Sequence, residues 1–317
     1  MTRTLPVIHD AGTFQLTSFR DRTGAEMPVH ETETRIARIV EGLGGCAHVR
    51  WMSAAAAQPQ AMDVVERVHA REYVQFLIDA SAQPGAPLLD PHFAEPGVEP
   101  DTPVTPGAWA AALGACASAV TAANLLTRGA PQAYAVCRPP GHHAGRAFMG
   151  GYCYLNNACV AAWVLRDAGK HVAVVDVDHH HGNGTADILR TERDIPFISL
   201  HAGTLGTFPY VATQPHADHQ HFVPFDESPS EEAYLDALAA QLAPLADAEA
   251  TDAIVISLGY DLVAGDPHGS WQMRPSFFGR LARCFRATGR QLCIVQEGGY
   301  ALDQLAACAH AFAMGLD

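Results

Sequence analysis

Five short apolar runs, "AYAVCR" (133–138), "HVAVVDVD" (171–178), "PFISLH" (196–201), "AIVISLGYD" (253–261) and "LCIVQEGGY" (292–300), are separated by helical patterns such as "NNACVAAWVLRDAG" and "SFFGRLARCFRATG". Strands that are apolar along their length are buried on both faces, and their alternation with helices gives a parallel sheet covered by helices on both sides. The expected class is therefore α/β. An opening helix is predicted over 31–43, where Ile36, Ile39, Val40 and Leu43 fall at i, i+3, i+4 and i+7. The uncharged stretch 109–126 is long enough to span a bilayer, but it is mostly Ala, Ser, Thr and Gly and reads as a buried helix. Residues 81–107 hold seven prolines between two helical patterns, which predicts a long irregular loop of the kind that carries function. With 48% hydrophobic residues and no linker dividing 1–317, one large domain is expected.

Polar residues gather where these runs end: "RPPGHHAG" after 133–138, "DVDHHHGNG" at the end of 171–178, "GYDLVAGDPHG" after 253–258 and "QEGGY" after 292–295. Sites in open α/β sheets form at the carboxyl ends of strands, so four such segments predict one shared pocket. Taken as alternate residues of an extended strand end, Asp176, Asp178 and His180 point to one side. With Asp261 they make a mixed oxygen and nitrogen donor set suited to zinc or ferrous iron, and spacing leaves open which aspartate binds the ion directly. His142 and His143, adjacent after a rigid turn, suit general base and acid roles, with Asp176 or Asn183 orienting their distal nitrogens. The Tyr300 hydroxyl can bind an oxyanion opposite the metal. These parts describe metal-assisted hydrolysis of an amide or ester. Singly, a histidine pair is more often a surface feature and Asp261 more often a cap, but convergence of costly polar groups at adjacent strand ends favours a site. His216, His219 and His221 alternate as in a solvated loop leading to a strand rather than a second metal cluster.

The formal charge of −14, from 34 acids against 20 bases, argues against nucleic-acid and anionic-membrane partners and suits a cationic small molecule. The eight cysteines form no CxxC pair and mostly sit in apolar segments, and the opening "MTRTLPVIHD" lacks the pattern of a secretory signal, so a cytoplasmic location is expected.

The motifs "RPPGHHAG", "GGYCYLNNACVAA", "DVDHHHGNGT", "GYDLVAGDP" and "QEGGY" together resemble the zinc-dependent histone deacetylase superfamily, and most of all its bacterial acetylpolyamine amidohydrolase branch and the class II amidohydrolases. The similarity runs from "PVHETETRIARIVEGL" to the C-terminus. It implies a single arginase-like domain with a central eight-stranded parallel sheet. It implies Asp178, His180 and Asp261 as zinc ligands, with Fe2+ or Co2+ as substitutes. His143 would be the general base and then the acid, with His142 its electrostatic partner, Asp176 behind His142 and Asn183 behind His143. Tyr300 would stabilise the oxyanion. Tyr152 and Phe208 would wall a tunnel lined by the Gly151 carbonyl, and Asp101 would contact substrate outside it. A structural potassium would be held by Asp176, Asp178, His180, Ser199 and Leu200. Glu95 and Glu99 are candidates for binding a distal ammonium. The implied substrate is a small cationic acetylated amine such as acetylputrescine, acetylcadaverine or acetylspermidine, hydrolysed to acetate and amine. Acetyl-lysine in peptides is the alternative, an inactive binding module a remote one, and an arginase-like manganese enzyme would need a site richer in carboxylates. The resemblance also allows a homodimer. His179 departs from the apolar or aromatic residue common at its place, and the sequence assigns it no role.

Overall fold

The computed structural model of the chain describes residues 4–9, 18–20, 25–85, 87–246 and 251–317. The main-sheet strands are β1 (Leu5–Ile8), β4 (Val49–Met52), β5 (Gln132–Ala135), β6 (Val172–Asp176), β7 (Phe197–Ala202), β8 (Gln220–Phe225), β9 (Ala253–Leu258) and β10 (Gln291–Gln296), while β2 (Ser18–Arg20) and β3 (Glu26–Pro28) form a separate antiparallel pair. The helices are α1 (Glu33–Gly44), α2 (Gln58–Val68), α3 (Arg71–Ala82), α4 (Ala108–Thr127), α5 (Asn157–Asp167), α6 (Asn183–Leu189), α7 (Glu231–Leu242), α8 (Phe277–Ala287) and α9 (Leu305–Gly315). The eight-stranded sheet is parallel throughout, in the order β4-β1-β5-β10-β9-β6-β7-β8. All five predicted runs are strands of it, and its edges are completed by β1, β4 and β8.

Pleating divides each central strand between two cores. In β6, Val172 and Val174 pack with α2 to α5, while Ala173 and Val175 pack on the opposite face with α1, α7, α8 and α9. Every residue of β5, β6, β7 and β9 is buried, as the uninterrupted apolar runs require. The membrane-length helix α4 lies inside the first core against α2, α5 and β5. Residues 83–85 and 87–107 run largely without regular structure, apart from one turn of 3-10 helix at Pro91–Phe93 and the single bridges Leu88↔Val104 and Ala94↔Met149.

The strand order decides where a site can form. The chain lays down β5 on one side and β6 on the other, and β9 and β10 later fill the gap between them. The connections after these four neighbouring strands all emerge at one edge of the sheet, where the crevice of an open α/β fold lies. His216 is exposed, His219 Nε2 donates to the Leu189 carbonyl (2.8 Å), and His221 is exposed on β8, so these three make no cluster.

Candidate active site

β6 stops at Asp176, so the expected alternation does not carry on to His180; this corrects the reading of an extended strand end. Aspartates prefer to bond backbone two residues ahead, which turns the chain. Asp176 Oδ1 accepts the Asp178 N–H (3.0 Å) and Asp178 Oδ1 accepts the His180 N–H (3.0 Å). The turn separates the two carboxylates by direction. Asp176 faces His142, whereas Asp178 and His180 meet Asp261, which follows β9.

His180 Nδ1 lies 3.2 Å from Asp178 Oδ1 and 3.1 Å from Asp261 Oδ2. Donors around one tetrahedral zinc stand about 3.3 Å apart, given bonds of about 2.0–2.1 Å. The donor set therefore has the right types, spacing and burial for a divalent ion. Burial disfavours a charged His180, but its contacts with Asp178 and Asp261 outweigh that and raise its pKa to about 10. Burial, then repulsion from Asp178, pushes Asp261 up to about 7. Two neighbouring residues must be small to admit these carboxylates. A Cβ on Gly259 would stand 2.1 Å from Asp178 Oδ2, and one on Gly298 would stand 2.7 Å from both Asp178 Oδ2 and Asp261 Oδ2.

The two adjacent histidines are supported differently. His142 Nδ1 donates to Asp176 Oδ2 (3.0 Å), and His143 Nδ1 donates to Asn183 Oδ1 (2.5 Å). Both rings are buried, with centroids 3.9 Å apart. Burial works against protonation of His142, yet Asp178 and Asp176 overcome it and lift its pKa to about 10. Burial drives His143 the other way, well below the usual range, and the charge on His142 adds to the effect. A cationic imidazole thus stands beside a neutral one, the division of labour that acid–base sites use.

His143 and His180 lie at the floor of a cavity of about 520 Å³, whose walls include Gly151, Tyr152, Phe208, Asp101 and Tyr300. Phe208 sets its ring edge-on to His143, with centroids 4.4 Å apart. Gly151 has φ +53°, and a Cβ there would lie 2.3 Å from His143 Cδ2. Asp101 Oδ1 accepts the Gly151 N–H (3.0 Å) and the Thr102 hydroxyl (2.9 Å), so it fixes the bend that carries the Gly151 carbonyl. Burial raises the Tyr300 pKa while the Arg35 guanidinium, 5.0 Å from the ring centroid, opposes it; the hydroxyl keeps its proton and can donate. In the β6–β7 register Asp176 is paired with Ser199, and the Ser199 hydroxyl is 3.3 Å from His181 Nδ1. Leu200 follows on β7.

Glu99 lines the cavity and is exposed at its rim, but Glu95 does not. Glu95 turns inward and accepts a hydrogen bond from Asn183 Nδ2, which corrects the expectation that both glutamates face a distal ammonium. His179 also has a place now: it is buried edge-on against Trp271 (centroids 4.8 Å apart), with Nε2 3.4 Å from the Ser270 N–H. Burial holds it neutral, with a pKa of about 3.

The family model for the histone deacetylase domain matches residues 29–316. The chain belongs to the histone deacetylase family. Within that family it is 38% identical over 213 residues to the acetylpolyamine amidohydrolase of Mycoplana ramosa, covering 65% of this chain and 62% of the relative. It is 39% identical over 217 residues to the acetylpolyamine amidohydrolase of Burkholderia pseudomallei (strain 1710b), covering 66% and 63%. The match thus spans less than two thirds of the length of these relatives. A crystal structure of acetylpolyamine aminohydrolase from Burkholderia pseudomallei superposes with a TM-score of 0.87 at 30% identity, covering 98% of both chains.

Further residues, not among those singled out in the sequence, support these side chains. Glu297 Oε2 accepts the N–H groups of Gly141 (2.7 Å) and His142 (3.1 Å), and its Oε1 accepts the Ser257 hydroxyl (3.1 Å). Asp266 Oδ2 accepts the Tyr300 and Ala301 N–H groups at 2.6 and 3.0 Å. Both sit inside motifs already singled out, "QEGGY" and "GYDLVAGDPHG", where a carboxylate beside glycines was the available signal. Arg35 reaches from α1 to the carbonyls of Gly299 (2.6 Å) and Glu297, and pairs with Glu31. His30 and His268 share a hydrogen bond of 2.8 Å on the cavity wall. These two lie 238 residues apart, and no local pattern couples them.

Proposed function

We propose that this protein is a zinc-dependent hydrolase that removes the acetyl group from small cationic N-acetyl amines, with acetylated polyamines as substrates. The observation that carries the reading is the cavity itself. It presents His180, which meets Asp178 and Asp261 behind it, beside a neutral His143 and a protonated Tyr300, and its lining also carries the acids Glu99 and Asp101.

Asp178, His180 and Asp261 would hold the ion, and a zinc ion so held supplies Lewis acidity toward the acetyl carbonyl and toward water. His143 takes the proton of the attacking water at Nε2, because its Nδ1 proton is committed to Asn183. As the amide C–N bond breaks, His143 returns that proton to the leaving nitrogen, so acetate and a free amine depart. Tyr300 donates a hydrogen bond from its hydroxyl to the oxyanion, and the backbone N–H groups of Tyr300 and Ala301 on Asp266 hold the segment in place. His142, kept cationic by Asp178 and Asp176, stabilises the same negative charge. Tyr152 and Phe208 flank the aliphatic chain. Asp101 and Glu99 attract the distal ammonium.

The β6–β7 register also supports a structural potassium among Asp176, Asp178, His180, Ser199 and Leu200. A cytoplasmic location is supported by eight unpaired cysteines, seven of them buried. The test is side-by-side kinetics of the zinc-loaded enzyme on N-acetylputrescine, N-acetylcadaverine and an acetyl-lysine peptide. A clear kcat/KM advantage for the acetylated diamines is expected; preference for the peptide would leave the hydrolytic chemistry standing and overturn the polyamine assignment.

A further inference from the structure

We propose that Glu95 is a positioning residue that locks the orientation of the Asn183 amide and thereby fixes which ring nitrogen of His143 carries the proton. This rests on the reading of His143 as the general base.

The two ends of a carboxamide are not equivalent: the oxygen only accepts, and the nitrogen only donates. Asn183, the first residue of α6, lies between two partners. Its Nδ2 donates to Glu95 Oε2, and its Oδ1 faces His143 Nδ1 at 2.5 Å. A carboxylate has no proton to give, so Glu95 is compatible with one amide orientation alone, the one that turns Oδ1 toward His143. That orientation requires a proton on Nδ1 and leaves the Nε2 lone pair facing the cavity. Without Glu95 the amide can rotate and present its N–H to Nδ1. His143 would then carry its proton on Nε2, the atom that must accept one from water.

The backbone around Glu95 is built to hold this contact. The Met149 N–H donates to the Phe93 carbonyl at 2.8 Å, and Ala94 bridges to Met149, which ties the Glu95 segment to the loop that carries both histidines. Burial, opposed by the Asn183 bond and reinforced by Asp187, raises Glu95 to about 7, so its carboxylate is the dominant form at pH 8.

The experiment uses zinc-loaded, 15N-histidine-labelled protein at pH 8, comparing wild type, Glu95→Gln and Glu95→Ala, with His143→Ala to assign the resonances. In the wild type His143 shows a protonated Nδ1 and a pyridine-like Nε2. In Glu95→Ala both signals move toward a tautomer mixture, and kcat for N-acetylputrescine falls about 10- to 100-fold with KM little changed, part of the about 10²–10⁴-fold that a placed base contributes. Glu95→Gln, which can still offer an acceptor oxygen, falls between. An Asn183→Asp background supplies an acceptor at both ends, so adding Glu95→Ala there brings no further loss. Unchanged His143 nitrogen shifts in Glu95→Ala and Glu95→Gln would overturn the proposal. Shifted tautomers with undiminished kcat would uphold the lock and contradict instead the role of His143 as base.

Discussion

His69 offers a sharp test of how the catalytic loop is held. It caps the C-terminus of α2, is buried, and uses both ring nitrogens: Nδ1 donates to the Gly145 carbonyl at 2.8 Å, and Nε2 accepts the Asn156 N–H at 3.0 Å. It therefore links the segment just after His143 to the N-cap of α5. A second proton would have to sit on Nε2, facing an N–H donor. Burial is the main reason its pKa falls from 6.5 to about 4, and Arg146 adds to it against the Gly145 bond. Because the folded pKa lies below the unfolded one, the unfolded chain binds more protons between pH 4 and 6.5. The stability this group contributes is complete above about pH 6.5 and is lost as pH falls toward 4. At about 1.4 kcal/mol per pH unit the loss is about 3 kcal/mol. Urea unfolding of the wild type and His69→Gln from pH 4 to 8 isolates the effect, since every other titrating group is shared. The variant is expected to be less stable by about 1–2 kcal/mol at pH 7.5, from one hydrogen bond made imperfectly. That deficit should shrink by about 3 kcal/mol and change sign by pH 4. Parallel curves over the whole range would refute the argument.

Tyr300→Phe removes the oxyanion donor without touching the donor set, so kcat should fall about 10²–10³-fold while zinc content by metal analysis stays at the wild-type level; unchanged turnover would remove Tyr300 from the mechanism. Gly151→Ala combines a φ of +53° with a Cβ 2.3 Å from His143 Cδ2, so kcat should drop, with about 1–3 kcal/mol of destabilisation in thermal or urea unfolding. Arg35→Met leaves Glu31 buried beside fewer positive charges and frees two carbonyls, which should lower unfolding stability by about 3–5 kcal/mol.

The sheet was legible because its central strands are buried on both faces and leave unbroken apolar runs, as in β6 and β9. Edge strands leave no such mark. β4 exposes Arg50, Trp51 and Met52, and β8 buries only Gln220 and carries an exposed Pro224, so neither resembles the strands it joins. The convergence of His142, Asp178, Asp261 and Tyr300 was legible because each follows a strand end. What sequence could not resolve was direction. Asp176 and Asp178 differ in role because a side chain bonded to the backbone two residues ahead ends the strand between them. Glu95 and Glu99 are four residues apart with the same chemistry, and only the fold decides that one reaches Asn183 and the other faces the cavity. Arg35 and the His30 and His268 pair act across more than 200 residues, where no periodicity reports on contact.

Hydrolysis of an acetylated amine in this cavity, as proposed, depends on a metal held by Asp178, His180 and Asp261. The most direct measurement is acetate release from N-acetylputrescine by chelator-stripped protein, before and after titration with zinc. Negligible release is expected from the stripped protein, with recovery that saturates at one zinc per chain. Full activity in the stripped protein, or none after reloading a folded one, would contradict it.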